Sequence, residues 1–173
     1  PEAALRAIDR EWPERVDRAA CDALSARGWH CRRGRAAHAD ESAMGPAVAG
    51  ALAALRSPIF VLFLEALTGI AGLQPDPANF GGGQHVMLRN SSLPIHADFN
   101  LRHVRGSLLH RRVGAILFLN DKWDTARWGG ALELWARDMR ACEARIAPDR
   151  NRLVVFAGTD FTCAARPPLA RGL

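Results

Sequence analysis

The sequence predicts a mainly β protein with a helical first part, in which helices fill residues 1–73 and a β-sandwich or jelly roll fills residues 84–173. Before position 73, apolar residues recur at the three-to-four-residue spacing of helices. After position 83 the spacing changes to two, in many short segments separated by turn residues. Residues 74–83, with two prolines and three glycines, separate the two patterns and favour a loop. Many short strands at regular spacing are typical of a sandwich or jelly roll and not of a parallel α/β sheet.

Leu5 and Ile8 predict a short first helix. Pro13 suits the first position of a second helix, because proline lacks the backbone N–H that a first turn leaves unpaired. Val16, Ala20 and Leu24 then recur every four residues and share one face of that helix.

Two further helices are predicted between the glycine at position 28 and the loop. Val48, Leu52 and Leu55 mark the first of them. Ser57 and Pro58 have the residue types of an N-cap and a first helical position, so they begin a helix over residues 59–67. Gly69 supplies its stop.

The strand-forming segments of the second part are residues 84–88, 93–99, 113–119, 131–135, 143–146, 153–156 and 161–164. Residues 100–110, between the second and third segments, are predicted to form a loop. In the segment 131–135, Leu132 and Leu134 alternate with Glu133 and Trp135, so the two leucines are expected to face the core.

Size and composition exclude several classes of protein. The chain has 173 residues, of which 49% are hydrophobic and 24% charged, as in average globular proteins. A chain of this length buries roughly 70% of its surface on folding, so we expect one domain over residues 1–173. A disordered chain and a disulfide-stapled miniprotein are excluded. No stretch approaches the ~20 apolar residues of a membrane span, so we expect no membrane partner.

The formal net charge of +5 comes almost wholly from arginine, Lys122 being the single lysine. Basic residues are scattered from Arg6 to Arg171 among acidic ones, whereas a nucleic-acid binder gathers them into a patch with aromatics. We therefore expect no nucleic-acid partner. The four cysteines share no CxxC spacing and the chain has no signal-like start, which predicts reduced cysteines in a cytoplasmic protein. No feature of the sequence indicates an oligomeric state.

The candidate functional motif is His96-Ala97-Asp98, within a predicted strand. Side chains at i and i+2 of a strand point to the same face, so this strand presents an imidazole and a carboxylate side by side. A second histidine from another strand would complete the facial triad that holds Fe(II) and leaves coordination positions open. The alternative is a hydrogen-bonded His–Asp pair without a metal.

Other segments extend this motif. They include Gly81-Gly-Gly-Gln-His85, His96-Ala-Asp-Phe-Asn100 and Trp128-Gly-Gly-Ala-Leu-Glu-Leu-Trp135, with further pieces at 55–60, 63–70, 111–112, 117–120, 146–156 and 159–161. In this order they resemble the Fe(II)- and 2-oxoglutarate-dependent dioxygenases, specifically the prolyl 4-hydroxylase-like branch found in bacteria. The resemblance covers most of the chain from about residue 52 onward. It implies a double-stranded β-helix (jelly roll, cupin-like) buttressed by α-helices.

The resemblance implies a hydroxylase that uses Fe(II), 2-oxoglutarate and O2 on a small-molecule or peptidyl substrate. It makes His96 and Asp98 catalytic metal ligands. The family's distal histidine falls on Ala164, so the third iron ligand is missing. Three neighbours could substitute for it: Cys163, which a period of two turns to the opposite face, and His103 and His110 in the loop.

The family also pairs a basic residue with the far carboxylate of 2-oxoglutarate. Arg166 and Arg171 are the candidates here, since a guanidinium suits a carboxylate clamp. The strand that carries this residue in the family is expected at or beyond the end of the chain, and truncation, degeneration or both would explain this. Arg111 and Arg112, at a strand start, could attract an acidic cosubstrate, but salt bridges to Asp121 or Asp124 are favoured.

Two other interpretations stay open. In the first, the chain is a catalytically degenerate relative that uses the β-helix as a binding or scaffold module. In the second, it is a cupin-like metal protein of other chemistry, with His85, His96 and Asp98 as ligands.

Overall fold

The structure, a computed structural model, describes residues 2–13, 24–32, 35–76, 78–88, 93–98, 100–104, 106–158 and 163–166, with backbone only at Arg32 and Cys163–Arg166. The chain divides into two units, Pro1–Leu88 and Arg89–Leu173. The single domain over residues 1–173 stays a prediction.

The first unit begins with helix α1 (Glu2–Glu11), which buries Leu5 and Ile8 as predicted. The predicted helix with Val16 and Ala20 lies outside the described residues. Helix α2 (Pro46–Leu55) begins after Gly45, which has no side chain to cap the helix. The Glu11 carboxylate takes this role, accepting hydrogen bonds from the backbone N–H groups of Ala47 and Val48 at 2.8 Å. A negative charge here also complements the helix dipole.

Helix α3 (Pro58–Thr68) begins and ends where the sequence predicts. The Ser57 hydroxyl accepts a hydrogen bond from the N–H of Phe60 at 3.3 Å, which satisfies one of the unpaired donors of the first turn. At the other end Gly69 adopts the left-handed conformation, with φ of 69°, and donates its N–H to the Glu65 carbonyl.

An antiparallel three-stranded sheet completes the first unit, in the order β1 (His30–Arg32), β2 (Arg35–His38) and β3 (Gln84–Met87). Leu24, Trp29 and Ala36 form its buried cluster, against which Trp12 and Val86 pack. The first two strands lie within residues 1–73, where the sequence predicts helices, so that prediction was wrong for this segment. The third, predicted as part of the β-rich half, pairs with β2 in this unit. A 3-10 turn, Glu41–Ala43, follows β2.

The second unit is built of strands and one short helix. In chain order these are β4 (Leu93–Ala97), β5 (Leu101–Val104), β6 (Ser107–His110), β7 (Val113–Phe118), α4 (Thr125–Trp128), β8 (Leu132–Trp135), β9 (Cys142–Ile146), β10 (Arg152–Ala157) and β11 (Cys163–Arg166). Strands β5 and β6 form a hairpin around Gly106, whose φ is +82°, where a loop was predicted.

The remaining strands form an antiparallel four-stranded sheet, in the order β4-β11-β8-β9, and a two-stranded sheet of β7 and β10. The chain crosses between them, from β7 to β8 and β9, back to β10, and again to β11. Phe118, Leu132 and Val154 form a buried cluster with side chains from both sheets, including Leu134. Leu132 and Leu134 thus face the core, as predicted. The described strands do not close into one barrel.

No single described helix is long and apolar enough to cross a membrane; α2 and α3 reach that length and apolar composition only together, and they are bent by 42° at the break between them.

Candidate metal centre

Strand β4 and the residue after its end bring the imidazole of His96 and the carboxylate of Asp98 together. His96 lies in the strand and Asp98 directly follows it. The distance between His96 Nε2 and Asp98 Oδ1 is 3.6 Å, and the two side chains are 37% and 34% exposed. The pair is therefore accessible to a ligand from solvent.

A hydrogen bond fixes which nitrogen of His96 faces the carboxylate. Nδ1 lies 2.8 Å from the carbonyl oxygen of Pro94. Because a carbonyl only accepts, Nδ1 carries the proton, and in the neutral ring Nε2 holds a lone pair. Metal-ligating histidines are oriented by such a bond on the other ring nitrogen. The side of the imidazole turned to Asp98 is thus the side that can donate to a cation.

The register of β11 places Ala164 beside this pair. Ala164 is directly opposite His96 on one side and Leu134 on the other. Residues opposite one another on antiparallel strands share a face, so position 164 lies on the face that carries His96 and the core leucine. Cys163 is opposite Ala97, on the other face. Alanine has no donor atom, so the position nearest to His96 on β11 offers no third ligand.

Arg111 reaches the same carboxylate from the start of β7. Its guanidinium nitrogen lies 3.0 Å from Asp98 Oδ2, the oxygen that does not face His96. Sequence reasoning missed this contact and favoured Asp121 or Asp124 as partners. Nothing in the spacing of residues 98 and 111 could have shown it, because the β5–β6 hairpin between them returns the chain to Asp98.

The backbone around Arg111 is held on two sides. The N–H of Arg111 donates to the carbonyl of Asn100 at 2.7 Å, and the N–H of Gly158 donates to the carbonyl of Arg112 at 2.7 Å. A Cβ at Gly158 would lie 2.9 Å from the Arg111 carbonyl oxygen. The absence of a side chain at position 158 therefore permits this close approach.

The other candidate residues belong to the first unit, to the β5–β6 hairpin or to positions whose side chains are outside the description. His85 belongs to β3 of the first unit, with Nε2 3.2 Å from the carbonyl of Gly82. His103 and His110 are exposed on the hairpin, opposite Leu108 and Leu101. Among the described residues no three His, Cys, Asp or Glu side chains form a metal-binding group.

Of the two candidates for the cosubstrate clamp, Arg166 is described by its backbone in β11, and Arg171 lies outside the described residues.

The donor set fits a divalent metal at two positions. One imidazole nitrogen with a free lone pair and one carboxylate oxygen are ligands that Fe(II) accepts, and their separation of 3.6 Å lets one ion contact both. Position 164 contributes nothing. Two protein ligands would hold the ion more weakly than three and would leave more coordination positions open.

Comparison with known proteins gives a family and a fold for the chain. A family model of the 2OG-Fe(II) oxygenase superfamily matches residues 82–171, just over half of the chain. A prolyl-4-hydroxylase from Pseudomonas putida has a similar structure, with a TM-score of 0.60 and 20% identity over 99% of this chain and 82% of that one. That likeness shows the double-stranded β-helix fold class predicted from the sequence. No curated protein matches the chain.

Proposed function

The chain belongs to the 2OG-Fe(II) oxygenase superfamily. We propose that it is an Fe(II)- and 2-oxoglutarate-dependent hydroxylase of the prolyl 4-hydroxylase-like type, in which His96 and Asp98 are the only protein ligands of the iron. Membership of the superfamily implies Fe(II), 2-oxoglutarate and O2. Bound iron with these two cosubstrates supplies the oxidation of an aliphatic C–H bond to an alcohol, with release of succinate and CO2. The observation that carries the proposal is the lone-pair nitrogen of His96 at 3.6 Å from Asp98 Oδ1.

The protein's own residues orient the donors. The Pro94 carbonyl fixes the His96 ring, and Arg111 fixes one oxygen of Asp98. Ala164 leaves the third position to water or another small ligand. For the far carboxylate of 2-oxoglutarate, Arg166 and Arg171 stay the proposed partners, since a guanidinium binds a carboxylate through two parallel hydrogen bonds. From the sequence we also propose that its substrate is a small molecule or a peptidyl residue and that the protein is located in the cytoplasm.

A second function is favoured by a specific observation. A guanidinium already lies against Asp98, and Ala164 supplies no donor, so the fold could serve without iron as a binding or scaffold module. Metal binding separates this function from the first.

The test is an anaerobic titration with Fe(II), followed by 2-oxoglutarate, while the visible charge-transfer band of the iron–cosubstrate chelate is recorded. We expect one site per chain, lost in His96→Ala. His30→Ala is the matched control, because His30 is exposed on β1 of the first unit. Absence of a stoichiometric site in the wild-type protein would contradict the hydroxylase and favour the binding module.

A further inference from the structure

The two oxygens of Asp98 have different partners. Oδ1 faces His96 Nε2 at 3.6 Å, and Oδ2 accepts from the Arg111 guanidinium at 3.0 Å. A hydrogen bond between two charged groups is roughly twice as strong as a neutral one, and both groups here are partly buried. The second oxygen is therefore engaged before any metal binds.

We propose that Arg111 is a positioning residue that holds Oδ2, so that Asp98 offers a metal ion one oxygen only. This rests on the proposed function, since it concerns how the pair would coordinate the metal. Because position 164 has no donor, a carboxylate free to turn would bind through both oxygens and fill one of the open positions. Arg111 keeps that position available for the cosubstrate.

Backbone contacts hold Arg111 in one position, which supports a positioning role. Its backbone N–H is tied to Asn100, two residues beyond Asp98, and its carbonyl lies against Gly158 beyond the end of β10. Its side chain is 23% exposed. The guanidinium thus projects from an anchored backbone and does not sample the surface freely.

The charge of Arg111 acts in two opposite directions. A positive charge close to the site repels a divalent cation and attracts an anionic 2-oxoacid. Its removal would free Oδ2 for the metal and also remove the repulsion, and both changes strengthen metal binding. The same removal would take away an open position and an attraction from 2-oxoglutarate, so both changes weaken cosubstrate binding.

The experiment uses Co(II) as a probe that does not react with O2, followed by 2-oxoglutarate added to the Co(II)-loaded protein. In Arg111→Gln we expect Co(II) to bind roughly tenfold more tightly and 2-oxoglutarate roughly tenfold more weakly, the scale of one unit charge near a partly exposed site. The visible spectrum of Co(II) should change toward higher coordination. Arg111→Lys keeps the charge and should recover much of the 2-oxoglutarate affinity. Arg112→Gln removes a charge from the exposed neighbouring residue and serves as the matched control.

A purely structural role would give a different pattern, in which Arg111→Gln loses affinity for both ligands together. That pattern, or an unchanged Co(II) affinity, would overturn the proposal. A measurement without metal checks the contact itself: thermal midpoints of Asp98→Asn, Arg111→Gln and the double variant should be non-additive. Additive shifts would overturn it too.

Failure of the proposed function has its own signature. If neither the wild-type protein nor Arg111→Gln binds Co(II), the hydroxylase and the coordination role of Arg111 are both wrong. The double-mutant cycle then still reports whether the ion pair forms.

Discussion

At position 164 the chain has a methyl group where the proposed alignment with the family places a histidine. The register sets this residue directly opposite His96, on the face that also carries Leu134. A histidine at this position on β11 would place its imidazole next to His96 and Asp98. On that proposed alignment the site lacks one donor side chain, while strand β11, which would carry it, is paired with the strand of His96.

Ala164→His is expected to tighten Co(II) binding by at least about tenfold, since even residues behind the ligands change metal affinity by 10–100-fold. Isothermal titration under anaerobic conditions measures it. Ala165→His is the control, because Ala165 lies opposite Glu133 and therefore on the other face of the sheet. Equal gains in both variants, or none in Ala164→His, would show that position 164 is not the third ligand position.

The sequence could predict the contact between His96 and Asp98 but not the contact between Arg111 and Asp98. His96 and Asp98 are two residues apart in a strand segment, and the period of two suffices to bring them together. Arg111 meets Asp98 because a hairpin forms between them. Gly106 marks its turn, but residues 100–110 mix arginine, histidine and leucine without clear alternation, so no strands are predicted on either side of it.

Among the elements, the contact between the end of β10 and the start of β7 fixes the backbone position of Arg111. A Cβ at Gly158 would lie 2.9 Å from the Arg111 carbonyl oxygen and 3.3 Å from its Cγ. Such contacts require a shift of the backbone or of the side chain. A side chain at position 158 would therefore displace the Arg111 guanidinium.

Gly158→Ala is expected to lower stability by about 1–3 kcal/mol, as overpacking does, and to raise Co(II) affinity in the same direction as Arg111→Gln but less. Urea unfolding and Co(II) titration measure the two effects. Gly50→Ala is the contrasting variant, because a Cβ in the middle of α2 would meet nothing within 4 Å. It should gain about 0.5–1 kcal/mol from helix propensity. Wild-type metal affinity in Gly158→Ala would contradict the prediction that this glycine affects the metal site through Arg111.

Elements with local signals were predictable. Ser57, Pro58 and Gly69 mark both ends of α3, because caps act on the backbone within a turn of themselves. Strands β1 and β2 carry few apolar residues. β1 pairs with β2, and the pairing of β2 with β3, over forty residues away, places both in the sheet. Such pairing leaves no periodic signal in a segment rich in arginine, which is why the sequence predicted no strands there.

For the whole molecule, metal binding and folding stability are linked. A ligand that binds the folded chain and not the unfolded one stabilises it by about 2.7 kcal/mol at a free concentration one hundred times the dissociation constant. In a chain of 150–250 residues each kcal/mol raises the melting temperature by about 2–4 °C. The proposed centre therefore has a consequence that can be measured without any substrate.

Saturating Co(II) should raise the melting temperature of the wild-type protein by about 5–10 °C, recorded by circular dichroism under reducing conditions that keep the cysteines as thiols. The shift should vanish in His96→Ala and increase in Ala164→His, because the first removes a donor and the second adds one. His30→Ala should shift like the wild-type protein, since His30 is exposed on β1. A shift that persists in His96→Ala would mean that the metal binds elsewhere in the chain. A wild-type protein with no shift would favour the binding module over the hydroxylase.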